Sequence, residues 1–223
     1  MNASTQLFDG TGKRIRLGRV LNPKDHRAAV VAFDHGLHVG VIPGVDRPGE
    51  MLETLAEAGA DAVLAYMFIG YEDAGAEVEQ VEAVAHMVRA CDALGIGCII
   101  EPMARGKQAD PDSYRSDYIA LGVRIACEMG ADLLKTDYSG SAETFRQATQ
   151  AAFRPILIAG GPKTATLREP LEMVRGALDA GASGMFIGRN VFQAADPAKT
   201  MRVLRRVIHD NVDVDTALEA MHG

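Results

Sequence analysis

The sequence lacks several features that would place it in a specialised class of protein. It has only three cysteines, Cys91, Cys98 and Cys127, without a C-x-x-C spacing. This count and spacing suit a reducing compartment better than a disulfide scaffold or a zinc site. Charged residues interrupt the N-terminal stretch where a signal peptide needs its apolar core, and no later apolar run approaches a membrane span. We therefore expect a cytoplasmic protein that has no membrane partner.

An excess of positive charge is missing as well. Lys and Arg number 23 while Asp and Glu number 30, which gives a net charge of −7 and an isoelectric point near 5.4. Binding to a nucleic-acid duplex depends on a basic surface that releases counterions, so no nucleic-acid partner is expected. No histidine pairs with Asp, Glu or Cys at a convincing ligand spacing. We therefore expect neither a metal nor another cofactor.

The composition is that of a chain able to bury one core. Its 223 residues are 48% hydrophobic and 24% charged, which predicts a single domain over residues 1–223. Short apolar runs alternate with segments whose apolar residues recur every three or four positions, the pattern of strands alternating with helices. The six predicted strands are Ala29–Phe33, Ala62–Ile69, Gly97–Met103, Leu133–Thr136, Pro155–Ala159 and Met185–Ile187.

Glycines mark the ends of predicted helices. Gly59, Gly130 and Gly181 each end a helical stripe just before an apolar run, and glycine there can take φ > 0 and close the helix. Apolar strands joined by helices predict a parallel sheet covered on both faces, either doubly wound or closed into a barrel. Periodicity does not choose between these two, although the first strand is not followed by the G-x-G-x-x-G motif of dinucleotide-binding folds.

Polar residues collect at the predicted strand ends, where parallel α/β domains carry their chemistry. Lys135 follows two leucines in the fourth strand, and burial would lower the pKa of its amine and leave a nucleophile able to form a Schiff base. Asp34 could exchange protons with a substrate near that amine. The alternatives are a lysine that extends to water and an aspartate in an ion pair or cap. His35 and His38 fit hydrogen bonding in a rim loop better than catalysis.

The last two predicted strand ends have the composition of an anion-binding site. Gly160 and Gly161 expose backbone N–H groups, Lys163 adds positive charge, and the turn Gly188-Arg189 begins a predicted helix whose N-terminus favours a phosphate. In eight-stranded α/β barrels the loops after the last two strands form the usual phosphate site. The alternative is a pair of glycine-rich turns that serve packing alone.

Four strings of the sequence stand in a characteristic order: AFDHGLHVGVIPGVDRP, ADLLKTDYSG, PILIAGGPKT and GASGMFIGRNVFQAADP. Together they resemble the class I aldolases of the archaeal fructose-bisphosphate aldolase type, a family that also includes the autoinducer-2 phosphate thiolase and an aminodideoxyheptulosonate synthase. The resemblance runs from about Gly18 to Leu218 and implies a (β/α)8 TIM barrel without a metal. It also implies the site residues: Lys135 as the Schiff-base lysine, Asp34 as the family aspartate, and Gly160, Gly161, Gly188 and Arg189 as the phosphate-binding residues.

The chain departs from that family in two ways. Family members have two more strands between the D-H-G segment and the strand ADAVLAYMFIGYE, which indicates an internal deletion around residues 45–61 and a shortened or incomplete barrel of six βα units. The proton-donating tyrosine of the family's Y-P-R-G motif is replaced by Met103, which cannot transfer a proton. Tyr138, Tyr66 or Glu101 could take over that role, and we name Tyr138 as the catalytic candidate.

The residues and the resemblance together predict a class I aldolase-type lyase that cleaves or forms a carbon–carbon bond in a phosphorylated keto sugar. Met103 and the strings FIGYEDAGAE and KTDY also resemble the thiolase branch, so acyl transfer from a phosphorylated diketone to coenzyme A is one alternative. A non-catalytic phosphosugar-binding descendant is the other. The expected partner is a phosphorylated small molecule, and the larger apolar edge of a shortened barrel favours a homo-oligomer.

Overall fold

A computed structural model describes part of the chain: residues 18, 21–22, 24–32, 54, 57–58, 62–64, 68–69, 75, 78, 82, 85, 88–89, 98–103 and 115–219. At residues 30–32, 62–64 and 68–69 it describes the backbone alone. Asp34, His35, His38 and Tyr66 lie outside the described residues, as does most of the stretch where the internal deletion is predicted. The described part includes Lys135 and both glycine-rich turns.

Seven strands in the described part of the chain form one sheet. They are β1 (Ala28–Ala32), β2 (Ala62–Leu64), β3 (Phe68–Ile69), β4 (Ile99–Pro102), β5 (Leu133–Thr136), β6 (Ile156–Ala159) and β7 (Gly184–Phe186). The spatial order is β2-β1-β7-β6-β5-β4-β3, and every neighbouring pair is parallel. All six predicted strands are present within two residues of their predicted ends, and the longest of them is divided into β2 and β3.

The two edge strands of this sheet are consecutive in the chain. β2 ends at Leu64 and β3 begins at Phe68, and four Cα–Cα steps span at most about 15 Å. A flat sheet of seven strands would separate its edges by roughly 28 Å, since neighbouring strands lie about 4.8 Å apart. The sheet therefore curves back on itself, as in a barrel.

Helices separate the strands from β4 onward. They are α1 (Ser116–Met129), α2 (Ala142–Ala151), α3 (Arg168–Asp179), α4 (Arg189–Phe192), α5 (Pro197–His209) and α6 (Val214–Glu219). The described residues between 75 and 89 are also helical. Side-chain caps begin two of these helices, because Ser141 accepts a hydrogen bond from the Thr144 N–H and Asp196 accepts one from the Lys199 N–H. Within the described ranges, no helix has the length and apolar content that a membrane crossing requires.

Two of the predicted helix-closing glycines are confirmed. Gly130 and Gly181 both have φ of +105°, the left-handed conformation that an L side chain rarely adopts. Gly130 follows the last residue of α1, and its N–H bonds to the Cys127 carbonyl. Each glycine turns the chain into the following strand within three residues. Gly59 lies outside the described residues.

One face of the sheet packs against the helices. Ile100, Leu134, Ile158 and Met185, from four neighbouring strands, belong to a single apolar cluster with Phe145 of α2. Each of these side chains is at most 1% exposed. Burial of this amphipathic face is the main contribution that holds helices and sheet together.

The alternating residues of the same strands face the inside of the curved sheet. Leu133, Leu157 and Phe186 are at most 1% exposed, yet they are not part of the helix-facing cluster. Side chains on the second face of a sheet are buried in this way when the sheet closes around them. Lys135 and Glu101 share this orientation because strand side chains alternate with a period of two.

Candidate active site

Lys135 lies inside the curved sheet near the C-terminal end of β5. It is the third of four residues in the strand and stands opposite Leu157 of β6. Its side chain is 5% exposed, and its Nζ lies 5.0 Å from the centroid of the Phe186 ring. The predicted burial of Lys135 is confirmed, and the alternative in which its side chain extends to water is wrong.

Glu101 of the neighbouring strand is the partner of this amine. Its Oε2 lies 2.9 Å from Lys135 Nζ, and its side chain is 2% exposed. Ile99 of β4 stands opposite Leu133 of β5, so the residues two positions further along both strands face the same side at the same level. Strand register therefore brings the two charged groups together.

Burial and pairing act on the Lys135 proton in opposite directions. Removal of water disfavours the ammonium, whereas the adjacent carboxylate favours it. Transfer of one proton from Nζ to Glu101 leaves a neutral amine and a neutral carboxylic acid, so no unpaired charge remains in the apolar interior. The arrangement can supply both a nucleophile and a proton donor from one buried pair.

The sequence did not predict Glu101 as the partner of Lys135, although Glu101 was among the three candidates to replace the missing tyrosine. The available signal was a single carboxyl group within the apolar run that became β4. A charged residue inside a buried strand needs a partner of opposite charge. Which residue supplied that partner depended on strand order, because β4 and β5 are neighbours only in the folded sheet.

The structure does not bring Tyr138 to Lys135. Tyr138 packs on the helix side of the sheet, where its ring centroid is 5.2 Å from that of Phe145. Its hydroxyl oxygen lies so close to Gly176 of α3 that a Cβ at that position would collide with it. Burial raises the pKa of the Tyr138 phenol, and the Asp179 carboxylate raises it further. We therefore withdraw Tyr138 as the proton donor, because its hydroxyl contacts a helix on the other face of the sheet.

This placement predicts the behaviour of a Tyr138→Phe variant. We expect its turnover to stay within about threefold of the wild type, because the missing hydroxyl does not face Lys135. We also expect the alkaline absorbance titration at 295 nm to lose one phenol that ionises above the ordinary value of about 10. A loss of turnover of 100-fold or more in a folded variant would return Tyr138 to the catalytic group.

The two glycine-rich turns lie against each other at the C-terminal ends of β6 and β7. Arg189 Nη2 donates a hydrogen bond of 2.9 Å to the Gly161 carbonyl, and the Lys163 ammonium donates to the Gln193 carbonyl. Gly160 follows β6 directly, and a Cβ there would meet the Ile187 side chain at 2.8 Å. The structure therefore brings together the predicted phosphate-binding residues of both turns.

One element of the predicted anion site is much smaller than expected. The helix that begins after Gly188 is only four residues long, so few peptide dipoles align along it and its N-terminus is a weak source of positive potential. The charges of Lys163 and Arg189 and the amide groups of the loop after β6 are the larger features here. Residues 34–53 lie outside the described residues, so the predicted role of Asp34 stays a prediction.

A metal site is not apparent in the described ranges, where no three His, Cys, Asp or Glu side chains are grouped to hold an ion. Cys98 and Cys127 are both buried, and the structure places neither of them in a disulfide. Burial raises the pKa of the Cys127 thiol, which keeps it protonated and unreactive near neutral pH. These two cysteines therefore behave as apolar core residues.

Comparison with known proteins identifies relatives over almost the whole chain. Residues 13–194 match the DeoC/LacD family aldolase profile. The chain is 32% identical to an uncharacterized aldolase of Saccharolobus solfataricus over 272 aligned positions, covering 94% of this chain and 99% of that protein. It is 38% identical to the 2-amino-3,7-dideoxy-D-threo-hept-6-ulosonate synthase of Halobacterium salinarum, covering 75% of this chain and 61% of that one. It is 30% identical to the 3-hydroxy-5-phosphonooxypentane-2,4-dione thiolase of Salmonella typhimurium, covering 93% and 86%.

Solved structures of similar shape are also aldolases. An archaeal fructose 1,6-bisphosphate aldolase superposes with a TM-score of 0.82 at 24% identity, covering 90% of this chain and all of that one. A second such aldolase, with its catalytic lysine covalently bound to the carbinolamine intermediate of the substrate, gives 0.79 at 25% identity and covers 89% and 99%. The predicted TIM-barrel-like fold is confirmed.

The alignment with the Saccharolobus relative spans 272 positions, whereas this chain has 223 residues. That relative therefore has stretches that this chain lacks.

Proposed function

Because this chain belongs to the DeoC/LacD aldolase family, we propose that it cleaves or forms a carbon–carbon bond in a phosphorylated keto sugar through a Schiff base on Lys135. The observation that carries the proposal is the buried ion pair, in which Lys135 Nζ lies 2.9 Å from Glu101 Oε2 inside the sheet. A surface ion pair adds little to stability, and a buried one is commonly no better than an apolar pair. A functional role for the amine accounts for the pair more directly than a structural one.

The proposed reaction begins with proton transfer from the Lys135 ammonium to Glu101. The free amine then attacks the substrate ketone, and the resulting carbinolamine loses its hydroxyl as water after Glu101 returns the proton. The Glu101 carboxylate, regenerated in that step, accepts the proton of the hydroxyl group beside the breaking carbon–carbon bond. The electron pair of that bond moves into the iminium to form an enamine, and the aldehyde fragment leaves. Glu101 holds the proton that the enamine carbon receives next. Protonation of the enamine carbon and hydrolysis of the iminium release the ketone product and restore the amine.

The phosphate end of the substrate would occupy the turns after β6 and β7. Gly160 lies three residues beyond Leu157, the residue opposite Lys135, and therefore about 10 Å further along the strand direction. That distance suits a short sugar whose carbonyl meets Lys135 and whose phosphate meets the loop. Binding of the distant phosphate positions the reacting carbon, which is where such binding energy contributes to rate. Gly161, Gly188, Lys163 and Arg189 complete the proposed phosphate site.

Borohydride reduction tests the proposal directly. The protein is incubated with a panel of phosphorylated ketoses, reduced, digested and mapped by mass spectrometry. We expect one modified peptide, with the added mass on Lys135. An adduct on a different lysine, or none with any member of the panel, would contradict the proposed chemistry.

A Glu101→Gln variant tests the proton transfer. Glutamine has nearly the same shape but cannot accept the ammonium proton, so we expect kcat to fall by about 10²–10⁴. Prolonged borohydride treatment should still label Lys135, more slowly than in the wild type. Glu172→Gln, which changes an exposed partner of Arg168, is the matched control and should keep wild-type turnover. A Glu101→Gln enzyme within threefold of the wild type would exclude Glu101 from the mechanism.

Acyl transfer to coenzyme A is the second candidate. Two observations favour it: Met103 replaces the family tyrosine, and a thiolase is among the relatives at 30% identity. The two reactions differ in the acceptor, so turnover of a phosphorylated diketone that depends on added coenzyme A would identify the thiolase. A non-catalytic descendant would bind phosphosugars without a reducible adduct. We also retain the homo-oligomer and the cytoplasmic location as predictions.

A further inference from the structure

We propose that Asn190 is a positioning residue that holds the loop of residues 160–164 in its anion-binding shape. The inference rests on the proposed function, because it concerns how this chain builds the phosphate end of the same site. Asn190 lies on α4 and is 7% exposed. Its side chain touches the loop at both ends.

Every hydrogen-bonding group of the Asn190 amide is used. Its Nδ2 donates to the carbonyl of Gly160 at 3.0 Å and to that of Pro162 at 3.1 Å. Its Oδ1 accepts from the Thr164 N–H at 2.8 Å, and the Thr164 hydroxyl lies 3.0 Å away. The two carbonyls require the NH₂ group and the N–H requires the oxygen, so the network itself determines the orientation of the amide.

These bonds determine which way the loop amides point. In a trans peptide the carbonyl of one residue and the N–H of the next lie on opposite sides. The Gly160 and Pro162 carbonyls face Asn190, so the N–H groups of Gly161 and Lys163 point away from α4. Within the described part of the chain, neither of these N–H groups meets a hydrogen-bond acceptor. Both donors are therefore available to an anion.

No other side chain of this size can make the hydrogen bonds that Asn190 makes to the loop. The loop presents carbonyls at Gly160 and Pro162 and an N–H at Thr164 to the same buried point, which calls for two donors and one acceptor on a planar group. Aspartate has no donor, and leucine has neither donor nor acceptor. Arg189 contributes one further bond, to Gly161, but its contact leaves both ends of the loop unattached. Loss of Asn190 therefore frees the loop amides without removing either of the phosphate-binding charges, Lys163 and Arg189.

The experiment compares trapping of two probes at Lys135. Borohydride reduction is carried out with dihydroxyacetone phosphate and with dihydroxyacetone, and the ratio of the two trapping rates measures the contribution of the phosphate. We expect Asn190→Ala to lower this ratio by about 10- to 100-fold, while the rate with dihydroxyacetone stays close to wild type. Thr164→Val, which replaces the hydroxyl with a methyl group and keeps the backbone N–H, should lower the ratio by about threefold or less.

Thr149→Ala is the matched control. It removes a partly buried hydrogen bond of 2.6 Å to the Ala180 carbonyl, which lies in the helix layer, and it should leave the ratio unchanged. An Asn190→Ala ratio equal to that of Thr149→Ala would overturn the proposal. Asn190→Ser is prepared alongside, because its hydroxyl can keep one of the bonds. If neither variant folds with a wild-type circular dichroism spectrum, Asn190 supports the whole fold and the assignment to the loop is overturned.

A second measurement separates this inference from the proposed function. The dissociation constant of inorganic phosphate is measured by calorimetry for the wild type and for Asn190→Ala. If the wild type shows no adduct at Lys135 but binds phosphate at least about tenfold more tightly than the variant, the proposed reaction fails and the positioning role stands. Equal phosphate binding by the two proteins would reject the positioning role, whatever the trapping shows.

Discussion

Lys135→Met is expected to abolish catalysis, with kcat falling by at least about 10³-fold. Methionine fills a similar volume, but its thioether cannot attack a ketone and form an iminium. The adduct expected in the wild type after borohydride reduction should be absent from the variant. Steady-state kinetics and mass mapping on the same preparation measure both effects. Turnover within tenfold of the wild type, or an adduct on a second lysine, would contradict the assignment.

The same substitution affects stability, and this effect has to be separated from catalysis. Removing Lys135 takes away the ammonium that lies 2.9 Å from the buried Glu101 carboxylate, and breaking a buried ion pair in this way costs about 3–5 kcal/mol of the free energy of unfolding. Lys135→Met combined with Glu101→Gln removes the charge as well, so the double variant should recover part of that loss while staying inactive. Arg168→Met removes a half-exposed cation from α3 and should keep wild-type turnover.

Gly184→Ala adds a single methyl group and is expected to destabilise the fold strongly, more than the same addition at Gly140. Gly184 has φ of +150°, and a Cβ on it would collide with the carbonyl oxygen of Ala28, its partner in β1. Backbone strain and overpacking together cost about 2–6 kcal/mol. For a domain of this size the melting temperature should fall by roughly 5–20 °C, measured by thermal unfolding followed by circular dichroism.

Gly140→Ala separates the two causes of that loss. Gly140 has φ of +96°, and a Cβ there would meet no atom within 4 Å. Its substitution therefore carries the backbone cost alone, about 1–2 kcal/mol. The difference between the two variants measures how closely β7 approaches β1. If the melting temperatures of the two variants differ by less than about 3 °C, β7 does not approach β1 as closely as proposed.

The strands were predictable because local composition decides them. β5 and β6 are short apolar runs bounded by glycine or polar turns, and burial on both faces leaves little choice of structure for such a run. The helix ends after α1 and α3 were predictable for a similar reason, since the glycines that follow take a conformation other residues avoid. Lys135 was predictable as a buried amine because two leucines precede it in the strand.

Tyr138 was predicted as the proton donor, although strand periodicity alone separates it from Lys135. Tyr138 stands three residues after Lys135, and in a strand two residues an odd number of positions apart face opposite sides. β5 ends at Thr136, and just beyond it the Tyr138 ring packs among the helices. The choice of Tyr138 from three candidates left this alternation out of account.

By itself the sequence determined the order of strands and helices, the parallel sheet, the buried lysine and the two glycine-rich turns, because each of these follows from residues close together in the chain. Only the tertiary structure decided that Glu101 pairs with Lys135, that Asn190 binds both ends of the loop after β6, and that β2 and β3 bring the two edges of the sheet together. Those contacts join residues about 30 positions apart or strands at opposite edges. They depend on strand order and register, which local propensity does not specify.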